Sequence, residues 1–110
     1  METKKSFGQY IKELRDEGNL PLRKVAAFLD IDPSTLSKIE RGERAANKDL
    51  IPKFAEIFNE SEKDLSLLLI SDKIANELLW ESDYGEILKV TEEKIKYLKN
   101  KNLQQGSLDL

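Results

Sequence analysis

Hydrophobic residues recur every three or four positions along most of the chain, which is the period of an α-helix. The first such stripe predicts a helix that Ser6 caps and that Gly18 ends. Its apolar positions are Phe7, Tyr10, Ile11 and Leu14. Because similar stripes follow along the chain, the pattern predicts an all-α protein.

Two short helices flank a tight turn between Leu22 and Gly42. The first has its apolar positions at Leu22, Val25, Ala26 and Leu29. Asp32 is predicted to cap the second helix, because its carboxylate can accept from the free N–H groups of the next turn. Pro33 suits the first helical position, where its missing N–H costs nothing. Gly42 is suited to the positive φ that often ends a helix.

The second of these helices has two different edges. Leu36 and Ile39 are spaced to face the core. The residues that remain free of the core are Ser34, Ser37, Lys38 and Arg41. A short helix with one buried edge and one small, polar, cationic edge suits the major groove of DNA.

The run DPSTLSKIERGER, with the alanines and the turn ahead of it, resembles the recognition helix and following turn of the phage repressor/Cro-like (Xre-type) helix-turn-helix family. The resemblance extends over about Phe7 to Leu65. It implies an all-α fold with a five-helix repressor-like DNA-binding domain. The chain from Ile70 onward exceeds the minimal family domain, and its helical pattern predicts an additional C-terminal helix. The resemblance also implies a sequence-specific transcriptional regulator, a repressor or autoregulator, that binds a palindromic operator as a dimer through the helix at about 33–41.

The resemblance assigns roles to individual side chains. Base contacts are expected from Ser34, Ser37 and Lys38. Phosphate contacts are expected from Arg23, Thr35, Arg41, Arg44 and Lys48. Arg15 and Glu40 are expected to form a structural ion pair between the first helix and the end of the recognition helix, because a guanidinium can hold a carboxylate with two hydrogen bonds.

Two positions depart from the family pattern. Many relatives have a glutamine at the start of the second helix, where this chain has Leu22, and relatives often carry a base-facing glutamine at the position of Pro33. Neither Leu22 nor Pro33 has a side-chain donor. Few strong base contacts then imply modest specificity, or a larger contribution from DNA shape.

Three further helices are predicted toward the C-terminus. The fourth starts near Asp49, because Pro52 belongs in a first turn. A capping box at Ser61–Asp64 starts the fifth, which runs from about Glu62 to Trp80. The sixth, about Tyr84 to Asn100, has alternating spacings of four and three that are typical of a coiled-coil seam. Its seam positions are Tyr84, Leu88, Thr91, Ile95 and Leu98.

The chain is accordingly divided into residues 1–70 as the DNA-binding domain, 71–101 as a helical dimerisation extension and 102–110 as a disordered tail. The residues expected to form a homodimer contact are Ile74, Leu78, Trp80, Tyr84, Leu88, Ile95 and Leu98. The alternative is that the sixth helix folds back onto its own subunit.

The net charge of −3 counts against a general nucleic-acid binder, although DNA meets only one face of a protein. An alternative function therefore stays open. In it, the chain keeps the repressor fold but acts as a protein-interaction module, such as an antitoxin, that binds a partner protein through its C-terminal helices.

Several classes of chemistry are not expected. The chain has no Cys and no His, so disulfides, the usual zinc sites and His-based acid–base catalysis are excluded. No nucleophile, base and orienting group can be assembled, so we expect neither an enzyme nor a cofactor or metal. No apolar run approaches the length of a membrane span, and the first residues lack the apolar core of a signal peptide, so the expected location is the cytoplasm.

Overall fold

The structure of the protein is a computed structural model that describes residues 4–108, with side chains described as far as Leu103. The described residues form six α-helices and no strand, which confirms the predicted all-α fold. The helices are α1 (Phe7–Glu17), α2 (Leu22–Leu29), α3 (Pro33–Glu40), α4 (Ile51–Phe58), α5 (Glu62–Leu78) and α6 (Tyr84–Leu108). No helix among these residues is long and apolar enough to cross a lipid bilayer.

Hydrogen bonds from neighbouring residues and from one residue remote in the sequence stabilise the start of α1. Ser6 Oγ accepts from the N–H of Gln9 at 3.1 Å, and Gln9 Oε1 accepts from the N–H of Ser6 at 3.2 Å. This reciprocal capping box confirms Ser6 as the cap. The Asp72 carboxylate, on α5, accepts from the N–H of Phe7 at 2.7 Å. A free N–H group of the first turn is thereby satisfied by a residue far along the chain.

The end of α3 confirms the prediction for Gly42. Its φ is 76°, and its N–H donates to the carbonyl of Ile39 at 3.1 Å. The N–H of Glu43 donates to the carbonyl of Lys38 at 2.9 Å, which completes a Schellman motif. Helix α3 therefore ends at Glu40, one residue before the predicted end.

The start of α3 confirms one prediction and corrects another. Pro33 occupies the first turn and Asp32 the capping position, as expected. The Asp32 side chain makes no capping hydrogen bond, however, so the predicted role of its carboxylate is wrong. Asp32 is exposed, and water competes with the helix amides for its oxygens.

Three other helix boundaries differ from the predictions. A 3₁₀ turn at Lys48–Leu50, capped by the Asn47 side chain, precedes α4, which starts at Ile51. Helix α5 ends at Leu78, before the predicted Trp80, because a turn follows in which the N–H of Glu81 donates to the carbonyl of Leu78 at 2.9 Å.

The third difference concerns the C-terminus. Helix α6 continues to Leu108, beyond the predicted end at Asn100. The predicted disordered tail, 102–110, is therefore helical as far as Leu108, and residues 109–110 lie outside the described residues. The segment after Asn100 contains no proline, and its Leu and Gln residues are good helix formers.

The hydrophobic core is built by α1 to α5 and the loop after α3. The buried apolar residues are Phe7, Ile11, Val25, Ala26, Leu29, Leu36, Ile39, Ala46, Ile51, Phe54, Ala55, Leu65, Leu68 and Leu69. The rings of Phe7 and Phe54 meet edge to face with their centroids 5.4 Å apart, a favoured aromatic geometry. The core confirms the inward direction predicted for the apolar edge of α3.

The chain divides into two compact units, Met1–Asn76 and Glu77–Leu110, with the division in the last turns of α5. The buried core lies within the first unit. The second unit consists mainly of α6. Its large exposed apolar side chains are Leu79, Trp80, Tyr84, Leu88, Val90, Ile95, Tyr97, Leu98 and Leu103.

Candidate nucleic-acid interface

Helix α3 has a buried side and a free side. Successive residues turn by about 100° around a helix, so positions three and four apart share a side. Leu36, Ile39 and Glu40 lie on the buried side, and Glu40 is only 6% exposed. The free side carries Ser34, Ser37, Lys38 and Arg41, of which Ser37 is half-buried and the others are exposed.

Arg15 and Glu40 join α1 to the end of α3. Arg15 Nε donates to Glu40 Oε2 at 2.7 Å, and Nη2 donates to Oε1 at 3.0 Å. A third donor, Nη1, reaches the carbonyl of Leu20 at 3.1 Å. The bidentate bond with Glu40 raises the pKa of Arg15. One side chain thus connects α1, the connector before α2 and the last residue of α3.

Gly8 lets α1 approach the backbone of α3 directly. A Cβ at this position would lie 2.9 Å from the Glu40 carbonyl oxygen and closer still to that of Ile39. No side chain can fit into that space without moving one helix away from the other. Gly8 and Arg15 therefore hold the same end of α3, and its free side faces away from the core.

Arg41, the cation on the free side that lies closest to the end of α3, already makes side-chain hydrogen bonds. Arg41 Nε donates to the Glu43 carboxylate, and Nη1 donates to Ser37 Oγ at 3.0 Å. Ser34 and Lys38 differ from Arg41. Within the described chain, neither side chain makes a hydrogen bond or an ion pair. Lys38 is therefore free to donate to another molecule.

Several other cations expected to contact phosphate are exposed. Arg44 and Lys48 line one shallow depression together with Thr35 and Lys73. Arg23 is also exposed but does not line that depression. Among residues 4–108, no ion pair is formed by Arg23, Arg44 or Lys48. The structure thus brings together three of the five residues expected to contact phosphate, and Arg41 lies apart with Glu43.

Acidic residues lie close to this group. Asp49 lines the same depression, and Asp30 and Asp32 line a neighbouring one with Thr35 and Arg44. They lower the local positive potential. No cluster of three or more metal-ligating side chains occurs in the part of the chain that the structure describes.

Three residues that position or extend this surface were not singled out in the sequence: Gly8, Asp72 and Lys73. Gly8 carried a usable signal, because a glycine inside a predicted helix often marks a close approach. The sequence around Asp72 and Lys73 gives no such signal. Both are ordinary polar positions of a predicted helix, and their importance depends on residues distant in sequence.

Comparisons with known proteins are consistent with this geometry. Residues 11–65 match the family model described as helix-turn-helix (HTH_3). The fold is similar to a crystal structure of the clp gene regulator ClgR from C. glutamicum, with a TM-score of 0.51 and 19% identity, over 66% of this chain and 94% of that chain. A second crystal structure of ClgR, from Corynebacterium glutamicum, gives a TM-score of 0.53 and 18% identity over 86% and 95% of the two chains. Comparison with curated proteins gives no match.

Proposed function

Because the chain belongs to the phage repressor/Cro-like helix-turn-helix family, we propose that it binds a palindromic operator as a dimer and acts as a repressor or autoregulator. The coarser function follows from the family: the chain is a DNA-binding transcriptional regulator and not an enzyme. The proposal adds the residues that contact DNA, the symmetry of the operator and the oligomeric state.

The observation that carries the proposal is the orientation of α3. Its apolar edge is buried, its last residue is paired with Arg15, and its other edge presents Ser34 and Lys38 to solvent. An α-helix fits the major groove, where a lysine can donate to the O6 and N7 of guanine and a serine can bond to several bases. We therefore assign direct base contacts to Ser34, Ser37 and Lys38.

The phosphate contacts are assigned to the cations around α3. Thr35, Arg44 and Lys48 share one depression, and Arg23 lies at the start of α2. These positions suit the backbone of a duplex whose groove receives α3, because exposed Lys and Arg release counterions when they meet phosphate. Arg41 can join them through Nη2, for which the described residues provide no acceptor, although the Glu43 carboxylate offsets its charge.

Lys38→Ala and Arg44→Ala are expected to weaken DNA binding in different ways. Loss of a base contact at Lys38 should cost about 1–3 kcal/mol on the specific site and relax discrimination at one base pair in each half-site. Loss of a phosphate contact at Arg44 should weaken all sequences alike and reduce the salt slope by about one. Fluorescence anisotropy on a panel of base substitutions at several salt concentrations measures both. An unchanged base preference in Lys38→Ala would refute direct reading by Lys38.

Glu43→Gln is expected to tighten DNA binding. The substitution removes a carboxylate beside the interface and leaves the charge of Arg41 uncompensated, which should strengthen binding by about tenfold or less and steepen the salt slope. Glu56→Gln is the matched control, because Glu56 is exposed on α4 and has no described cation partner. Equal effects of the two substitutions would mean that only net charge changed and that Glu43 does not weaken a phosphate contact of Arg41.

The dimer is proposed because one short recognition helix contacts few base pairs. Two copies related by a two-fold axis double the contacts and fix two half-sites about one DNA turn apart. The exposed apolar side chains of α6 support this proposal, because such patches mark interfaces. We assign the contact to Ile74, Leu78, Trp80, Tyr84, Leu88, Ile95 and Leu98.

The same apolar surface supports a second candidate function, a protein-interaction module that binds a partner protein through its C-terminal helices. A gel shift on DNA upstream of the gene separates the two functions. A salt-dependent, sequence-selective shift supports the regulator. The lack of a sequence-selective shift at every salt concentration counts against the regulator and favours the interaction module.

A further inference from the structure

Acidic and basic residues are separated along α6 and the turn before it. Residues 81–93 contain five acidic residues and one lysine, which gives this segment a net charge of −4. Residues 94–101 contain four lysines and no acidic residue, which gives a net charge of +4. Within α6 itself, residues 84–93 have a net charge of −2, and two further acidic residues, Glu81 and Asp83, lie in the turn before it. The helix therefore begins with an acidic part, which a basic part follows.

An apolar seam runs across the boundary between the two parts. Tyr84, Leu88, Ile95 and Leu98 are between 44% and 59% exposed, so the seam is not buried within the helical segment itself. Thr91, at the centre, donates its hydroxyl hydrogen to the carbonyl of Ile87 at 2.7 Å. Burial of Thr91 in an interface would therefore leave no donor without a partner.

We propose that α6 pairs in antiparallel orientation with α6 of a second copy of this chain. The proposal rests on the dimer of the proposed function and adds its geometry. In an antiparallel pair the acidic segment of each copy runs toward the basic segment of the other, so that unlike charges approach at both ends of the seam. In a parallel pair acidic meets acidic and basic meets basic, which like-charge repulsion disfavours.

The spacing of the seam also specifies a register. When Leu88 lies opposite Leu98 of the second copy, Thr91 lies opposite Ile95 of the second copy, so each central layer joins a smaller side chain to a larger one. In this register Glu92 flanks the seam beside Lys99 of the second copy. A parallel pair in register would instead place Lys94 beside Lys99 of the second copy and bring the two Thr91 residues together.

The helix macrodipole offers a different explanation for the same charges. Acidic residues near the start of a helix and basic residues near its end stabilise that helix by itself. This effect is confined to the first and last turns, whereas Glu92, Glu93 and Lys94 lie near the middle of α6. The change from acidic to basic side chains near the middle of α6 is therefore explained better by pairing with a second helix than by the dipole of α6 itself.

A charge swap tests the orientation. Sedimentation equilibrium of the full chain is measured for Glu92→Lys, for Lys99→Glu and for the double variant. Each single variant is expected to weaken the dimer by about tenfold, since two contacts change from attraction to repulsion, and the double variant should restore it. Glu93→Lys is the control, because it makes the same charge change on the side of α6 away from the seam. Circular dichroism checks that α6 remains helical, since Glu92 also pairs with Lys96 at 3.0 Å.

Cross-linking tests the register independently of charge. The natural chain has no cysteine, so a mixture of Leu88→Cys and Leu98→Cys chains can form a disulfide only at the introduced sites. The antiparallel register predicts that the mixed pair cross-links and that neither variant cross-links with itself. Self-cross-linking of each variant would show parallel helices.

The outcomes also separate this inference from the proposed function. The antiparallel pairing is overturned if Lys99→Glu tightens the dimer and the double variant does not restore the affinity lost in Glu92→Lys. If such a dimer still binds the operator, the regulator function stands. A chain that binds its operator as a monomer overturns both the pairing and the dimer. Rescue in the double variant together with mixed cross-linking supports the proposal.

Discussion

Arg15→Ala is expected to lower the free energy of unfolding by about 3–5 kcal/mol. The Arg15 and Glu40 side chains are only 15% and 4% exposed, so the substitution leaves a buried carboxylate without a counter-charge. It also removes the donor to the carbonyl of Leu20. The loss is a large fraction of the stability of a small protein. Urea denaturation followed by circular dichroism measures it.

The chain offers a matched control on the same helix. Lys12 forms an ion pair with Asp16 at 2.9 Å, but both side chains are 54% exposed, so Lys12→Ala should cost no more than about 0.5 kcal/mol. Replacing both Arg15 and Glu40 with leucine should recover much of the stability, because no charge is then stranded. Equal losses in Arg15→Ala and Lys12→Ala would contradict a buried pair.

Gly8→Ala is expected to destabilise the protein by about 3 kcal/mol, although alanine is the better helix former. A helix interior normally gains about 1 kcal/mol from this substitution. Here the new methyl group would meet the carbonyl oxygens of Ile39 and Glu40, and backbone atoms on both helices cannot yield as a side chain can. Helix α1 must then move away from α3.

Gly85 is the control for Gly8. A Cβ at Gly85, on α6, would meet nothing within 4 Å, so Gly85→Ala should be neutral or stabilising by up to about 1 kcal/mol. Urea denaturation compares the two variants on the same scale. If Gly8→Ala raised the stability as Gly85→Ala does, α1 would not lie against the carbonyl groups at the end of α3.

Local signals in the sequence predicted the limits of α1 and α3 well. The serine at position 6, the proline at position 33 and the glycine at position 42 each act within a few residues of the backbone they fix. The burial of Leu36 and Ile39 followed from helical spacing in the same way. Such features depend on neighbouring residues, so the sequence contains the information.

Contacts between distant residues could not be predicted from spacing. The hydrogen bond from Phe7 to Asp72 joins residues 65 positions apart, and nothing near either residue indicates it. The engagement of Arg41 by Glu43 depends on the rotamers of both side chains. Arg15 and Glu40 were paired only because the sequence resembles a family in which those positions pair. Helix α6 extends beyond the predicted limit at Asn100, because most of the polar residues that follow tolerate a helix although they are also typical of a disordered tail.

Selection of DNA sites from a randomised pool by the full chain tests the central claim, that the free side of α3 reads an operator. The expected result is an enriched palindrome with half-sites about one helical turn apart. Repetition with Lys38→Ala should relax one base pair in each half-site and leave the others unchanged. A pool without an enriched sequence, or a motif that Lys38→Ala leaves unaltered at every position, would contradict the account.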